Sequence, residues 1–226
     1  MDDIFFLKEN LLLLGPQWFL GRGSMFVFSS AQFENLVLPY AHLRGRWATE
    51  GNMLDLGAGD GKVTSVMARN FRHTYVTEMS GVMGRILSSQ NFRLLDVDRW
   101  TLDGPDHFEL ISCLNLLDRC DNPLTLLRQI RVKLDPENGI LILALVLPLN
   151  QYVESGSKYH RPSETIPVQG KTFEEQVSSL VRTLFEPAGF RVERWSRLPY
   201  LCEGDLDQAF YWLNDALFVL RPCTGS

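Results

Sequence analysis

The segment Leu54-Asp55-Leu56-Gly57-Ala58-Gly59-Asp60-Gly61 constrains this chain more than any other. A short apolar run of strand type, Met53 to Leu56, breaks into three alternating glycines, and Lys62 to Phe71 then carries helical spacing. Strand, glycine turn and helix in that order open an α/β sheet. The glycines let the backbone approach a ligand closely, and the helix start offers N–H groups. A plain tight turn is the bland alternative, and the strand and helix on either side argue against it. A dinucleotide turn would want Gly-x-Gly-x-x-Gly, with its third glycine at 62. That residue is Lys62, so a nicotinamide oxidoreductase is the poorest fit.

The rest of the chain repeats the theme. Strand signals fall at Met53–Leu56, Thr74–Thr77, about 92–97, Phe108–Cys113, Ile140–Leu147, Phe190–Arg197 and Ala216–Leu220. Helical stretches cover about 81–90, 123–134 and Thr172–Pro187. The continuous apolar run Ile140–Leu147 suits a strand buried on both faces. Alternating strands and helices predict a parallel sheet covered on both sides. No helix signal separates the last two strands, so the final one is expected to run antiparallel to its neighbour. A seven-stranded, mostly parallel α/β sheet of this kind resembles the class I (Rossmann-like) S-adenosylmethionine-dependent methyltransferase fold, a likeness of architecture that does not set function. Residues 1–50 mix apolar pieces with Gly and Pro and read as a helical arm or lid packed on a methyltransferase domain of residues 51–226.

Composition narrows the partners. The 226 residues are 45% hydrophobic, enough for a full-sized core. Twenty-two basic against 27 acidic residues give a net charge of −5 and no basic patch, which disfavours nucleic acid. The four cysteines form no Cys-x-x-Cys pair and the four histidines are scattered, so no metal site is expected. Ile140–Leu147 is too short to span a bilayer, for which about 20 residues are needed. The opening Met1-Asp2-Asp3 has the wrong charge for a signal peptide.

Candidate site residues lie at the carboxyl ends of the strands. Asp55 before Gly57 and Gly59, with no pyrophosphate to accommodate, resembles the turn of S-adenosylmethionine enzymes, whose ligand carries an ammonium and a sulfonium. Glu78, 23 residues beyond Asp55, ends the second strand. It can accept both ribose hydroxyls, or be a solvated carboxylate. Asp98 lies where such enzymes often hold the adenine amino group, with Asp96 as an alternative. After the fourth strand, Asn115 and Asp118 stand three apart and can face one side of a turn; capping by Asp118 is the structural alternative. Tyr200 lies in a loop rich in acids (Glu203, Asp205, Asp207), where it either closes the pocket or packs as an ordinary aromatic. Those acids suit a partner carrying positive charge or simply form a solvated face. Arg22 and Ser24, on a Gly-flanked segment, are candidates for a lid over the cofactor.

Several blocks make the chain recognisable: Phe19 to Ser29, Leu54 to Gly61, Ile111 to Asp121, Leu141 to Pro148 and Arg197 to Asp205. With these it resembles the DREV group of methyltransferase-like proteins, the protein-histidine N-pros-methyltransferases. The resemblance implies S-adenosylmethionine as cofactor and transfer of methyl to Nδ1 of histidine in His-x-His segments of proteins, where x is small. It also implies cofactor contacts at Glu78, Asn115 and Tyr200, a target-histidine contact at Asp118, and placement at endoplasmic reticulum and mitochondrion. A methyltransferase for a small molecule or another side chain, and a non-catalytic binder of histidine motifs, are the competing readings. The intact Asp55, Gly57, Gly59 and Glu78 argue against loss of the cofactor site.

Overall fold

The computed structural model describes residues 25–153, 161–203 and 210–223. Eight strands form one sheet: β1 (Met25–Phe26), β2 (Asn52–Leu56), β3 (His73–Thr77), β4 (Arg93–Leu95), β5 (Leu110–Leu114), β6 (Ile140–Val146), β7 (Phe190–Glu203) and β8 (Phe210–Pro222). Their order across the sheet is β1-β7-β8-β6-β5-β2-β3-β4. From β4 to β6 all pairings are parallel, while β8 runs antiparallel to both β6 and β7. The doubly wound sheet and its reversed last strand match the expected α/β class.

The strand count differs from the expected seven. Met25 and Phe26 pair antiparallel with Cys202 and Leu201, adding a short edge strand from a segment read as a helical arm. Two apolar residues beside Gly-rich sequence carry no strand periodicity of their own, so only the partner reveals them. The β7–β8 ladder is also longer than its apolar core. Leu198 to Glu203 pair with Asp215 to Phe210, beyond the run where both faces are covered. Conversely, β4 is only three residues, and its first two are exposed.

Period-two alternation explains how one sheet supports two cores. On β6, Leu141, Leu143 and Leu145 join one cluster with Leu54, Ile111 and Phe218, while Ile140, Ile142 and Ala144 join another with Met53, Leu217 and Val219. The first cluster is covered by α6 (Pro123–Lys133) and α7 (Phe173–Leu180), through Leu127, Ile130, Phe173 and Val177. The second is covered by α1 (Ser30–Val37), α2 (Arg44–Glu50) and α3 (Lys62–Ala68), through Phe33, Val37, Trp47 and Met67. Each Leu or Ile removed from water on both faces contributes roughly 1.5–3 kcal/mol, so β6 is the central beam. The helices α4 (Gly81–Ser89) and α5 (Trp100–Asp103) flank β4.

Local chemistry sets the helix starts. Ser29 and Gln32 form a capping box at α1, and Thr172 and Glu175 form another at α7. Each satisfies N–H groups that a helix start leaves unpaired. The α7 helix then widens into a π-type turn at Val181–Phe185, short of the Pro187 where the spacing predicted its end.

Candidate active site

The glycine turn is built from backbone conformations that side chains resist. Gly57, Gly59 and Gly61 have φ of +69, +56 and +78°. A Cβ at Gly57 would come within 3.2 Å of Leu116, and one at Gly61 within 2.8 Å of Leu87 and Gln90. At Gly59 a Cβ would meet nothing within 4 Å. The turn is thus tight against protein on two sides and open at its middle.

Its hydrogen bonds hold it to the end of β3. Gly57 N–H donates to Thr77 Oγ1 (3.2 Å) and Ala58 N–H to the Thr77 carbonyl (3.0 Å). Gly59 N–H donates to Glu78 Oε2 (2.9 Å), while Ser80 N–H donates to Glu78 Oε1 (2.8 Å). Two backbone donors fix the half-buried Glu78 carboxylate at the strand end, leaving it lone pairs to accept from a ligand. Lys62 N–H, the first of α3, is taken by Asp60 Oδ1 (3.0 Å), so it is not the open donor that the helix start suggested.

Asp55 lies beneath the turn. It is 3% exposed, and its carboxylate accepts from Thr64 Oγ1 (2.6 Å) and Ser112 Oγ (2.7 Å). Burial pushes its pKa up to about 6; the two hydroxyls pull it down, and Glu78 adds to the rise. Its geometry is that of a positioning residue, tying β2, α3 and β5 together below the ligand surface. Thr64 and Ser112 were not read from the sequence, because hydroxyls inside apolar strands and helices carry no signal until their partner is placed.

A second polar group lies at the carboxyl ends of β5 and β6. Asn115 follows β5 at φ +53°, a left-handed conformation that asparagine tolerates. It is 6% exposed, and its Nδ2 donates to Asp215 Oδ2 (2.8 Å). Asp215 is fully buried on β8, opposite Val146 of β6 and Leu198 of β7. Burial raises its pKa to about 7; Asn115 opposes this, Asp118 adds to it, and Arg119 opposes it. Asp118 is 4% exposed, its carbonyl accepting Tyr152 N–H (3.0 Å). The Arg119 guanidinium lies 5.7 Å from the Tyr152 ring centroid.

Tyr200 is 3% exposed and donates its hydroxyl to Met25 Sδ, so the new edge strand packs directly on it. Burial holds its phenol well above the ordinary range, with Cys202, Arg119, Asp215 and Asp118 all within electrostatic reach. Tyr200 therefore belongs to a strand, not the loop expected from its Pro and acidic neighbours, and it joins Asn115, Asp118 and Asp215 in one region. Asp215 escaped sequence reading because the apolar strand signal begins one residue later, at Ala216. An acid entering such a strand was the available clue.

Asp98 sits apart from this group, exposed in the turn after β4, its N–H given to Asp96 Oδ1 (2.8 Å). Arg22 and Ser24 lie outside the described residues. Among the described residues, no group of three His, Cys, Asp or Glu could hold a metal ion.

S-adenosylmethionine fits this edge. Glu78 offers acceptors for ribose hydroxyls, the open approach at Gly59 leaves room, and Asn115 Oδ1 is a buried acceptor without a hydrogen-bond partner among the described residues. When bound, the cofactor supplies an electrophilic methyl group on its sulfonium.

Solved structures share the architecture at low identity, which speaks to fold alone. The chain is similar to a protein of echinomycin biosynthesis described in the conversion of a disulfide bond into a thioacetal group. They share 11% identity at a TM-score of 0.53, over 83% of this chain and 82% of that one. It is similar to magnesium protoporphyrin IX methyltransferase of Synechocystis with bound S-adenosylmethionine, at 15% identity and TM-score 0.50, over 84% and 78%. It is also similar to the cyclase SpnF, at 16% identity and TM-score 0.50, over 81% and 82%. One fold thus carries methyl transfer in one relative and a cyclase in another. The model of the DREV methyltransferase family matches residues 16–222, nearly the whole chain. The chain belongs to the DREV methyltransferase family, and S-adenosylmethionine is its cofactor.

Proposed function

We propose that the protein methylates Nδ1 of histidine in His-x-His segments of other proteins. The observation that supports this reading is the pair of buried acids near the end of β5. Asp118 and Asp215 are both buried there, beside Asn115 and Arg119, at the sheet edge that also bears the cofactor turn. Neutral imidazole is already a competent nucleophile near pH 7, since its pKa is about 6.5. The acceptor therefore needs orientation and the right tautomer more than a strong base. Nδ1 can attack only when the ring proton is on Nε2. Asp118 accepts that Nε2–H, holds the tautomer and balances the positive charge the ring gains on methylation. In an extended peptide, alternate residues project to the same side, so a small x between two histidines lets both meet one surface.

The test combines purified protein, S-adenosylmethionine and a His-Ala-His peptide, with hydrolysis and separation of the two methylhistidine isomers. Nδ1-methylhistidine alone is expected. Bound cofactor with no methylhistidine would sink the reading and point to another acceptor.

A further inference from the structure

We propose that Asp215 is a positioning residue that locks the side-chain amide of Asn115, so that Asn115 Oδ1 is presented as an acceptor to the cofactor's ammonium group. This deepens the cofactor side of the reading above and needs no particular methyl acceptor. A peptide that goes unmethylated therefore leaves it standing.

The argument starts from an amide with two chemically opposite ends. An asparagine can turn its side chain over at little steric cost, exchanging donor for acceptor. An ionised carboxylate removes that freedom because it can only accept. Asn115 Nδ2 donates to Asp215 Oδ2 at 2.8 Å, so Oδ1 is necessarily the other end. That Oδ1 is buried and has no hydrogen-bond partner among the described residues. A buried acceptor left unmatched costs stability unless a ligand donor meets it. The order of strands identifies the donor. With ribose on Glu78 at the end of β3 and the glycine turn at the end of β2, the next strand along is β5, which Asn115 follows. The donor-bearing end of the cofactor beyond its ribose is the amino-acid ammonium. Asp215 itself comes from β8, 100 residues away, and is fully buried, its own Oδ1 unmatched among the described residues.

The groups facing Asp215 are Asn115, Asp118 and Arg119 from the β5 end, and Tyr200 and Cys202 from β7. The burial and Asp118 raise its pKa to about 7, with Asn115 and Arg119 opposing. Above that pH the carboxylate enforces the amide orientation. Below it, the protonated acid has an O–H of its own to give to Asn115 Oδ1, and the lock is lost.

The experiment is calorimetric titration of S-adenosylhomocysteine, which keeps the ammonium, into wild type, Asp215→Asn, Asn115→Asp and the double swap, with a melting curve for each. At pH 8, each single variant is expected to bind about tenfold more weakly, the scale of one charge-assisted hydrogen bond. The swap restores a donor at 215 and an acceptor at 115, and is expected to return within about threefold of wild type. Wild-type affinity should fall as pH is lowered from 8 to 6, with a midpoint near 7, and Asp215→Asn should lack this dependence. A folded Asp215→Asn with wild-type affinity overturns the proposal, as does a folded swap no better than the single variants. Should the variants not fold, the wild-type profile decides: a midpoint near 7 supports the lock and a flat profile overturns it.

Discussion

The two ends of the ligand edge are built on different principles. At the glycine turn, the contacts that shape the site are short in sequence: Gly57 to Thr77, Gly59 to Glu78 and Thr64 to Asp55 span 20, 19 and 9 residues. Backbone conformation at three glycines does most of the shaping. At the ends of β5 and β7, where the proposed site brings the cofactor's amino-acid end and the methyl acceptor together, Asn115 meets Asp215 across 100 residues and Tyr200 meets Met25 across 175. There the shaping is done by buried side chains, several of them ionisable. A backbone cradle is fixed by local conformation, whereas a pair such as Asn115 and Asp215 exists only once distant strands have met.

That contrast can be broken most sharply at Asp118. Asp118→Asn keeps the volume but removes the charge that would balance a methylated ring, so turnover of a His-Ala-His peptide is expected to fall by about 100-fold or more. S-adenosylhomocysteine affinity should stay within a factor of about two. Equal losses in both would place Asp118 on the cofactor side and erase the division. The opposite manipulation is Gly61→Ala. Its φ of +78° and a Cβ 2.8 Å from Leu87 and Gln90 predict roughly 2 kcal/mol lost in urea unfolding. A melt indistinguishable from wild type would show the turn to be more pliable than its conformation implies.

The smallest effect sharpens the electrostatic half of the comparison. Asp55 has its pKa raised from 3.8 to about 6, and Asp215 from 3.8 to about 7. A raised carboxyl pKa means the folded state holds its proton where the unfolded chain has released it. The associated stability is complete below the unfolded value and drains away as pH climbs through the folded one. Unfolding free energy should therefore decline between pH 5 and 8, with about 1 kcal/mol of the decline belonging to Asp55. The carboxylates pulled downward, among them Asp103 and Asp121, act only at lower pH. Asp55→Asn should flatten that part of the profile, and an unchanged slope would mean Asp55 is not held in the buried state described.

How much of this was legible in the sequence follows the same division. The glycine turn, β3 ending at Glu78 and the all-apolar β6 announce themselves because local spacing and conformational preference determine them. The reversed β8 was legible from a missing helix. What escaped was what only a distant partner defines. Met25–Phe26 became a strand by pairing with Leu201 and Cys202, and Thr64 and Ser112 became ligands of a buried carboxylate. Asp215 entered the core from the middle of β8, just ahead of the apolar run that begins at Ala216. Tyr200, with a proline before it and acids after it, resembled a loop residue until the β7–β8 ladder carried it into the sheet.

The place of β8 between β6 and β7 has a consequence for the order of assembly. Of the eight strands described, the one that comes last along the chain is the one that joins the two parts of the sheet. While the chain grows, Ile140–Val146 has a partner on one side only, and its other edge, apolar and unsatisfied, stays open until residues near 222 are made. Pairings between such distant segments carry the largest loop-closure entropy and form late. Throughout that interval the nascent protein exposes a sticky strand edge of the kind that seeds aggregation and recruits chaperones. Loss of even the final dozen residues of the β7–β8 ladder would strand the polypeptide in that condition permanently.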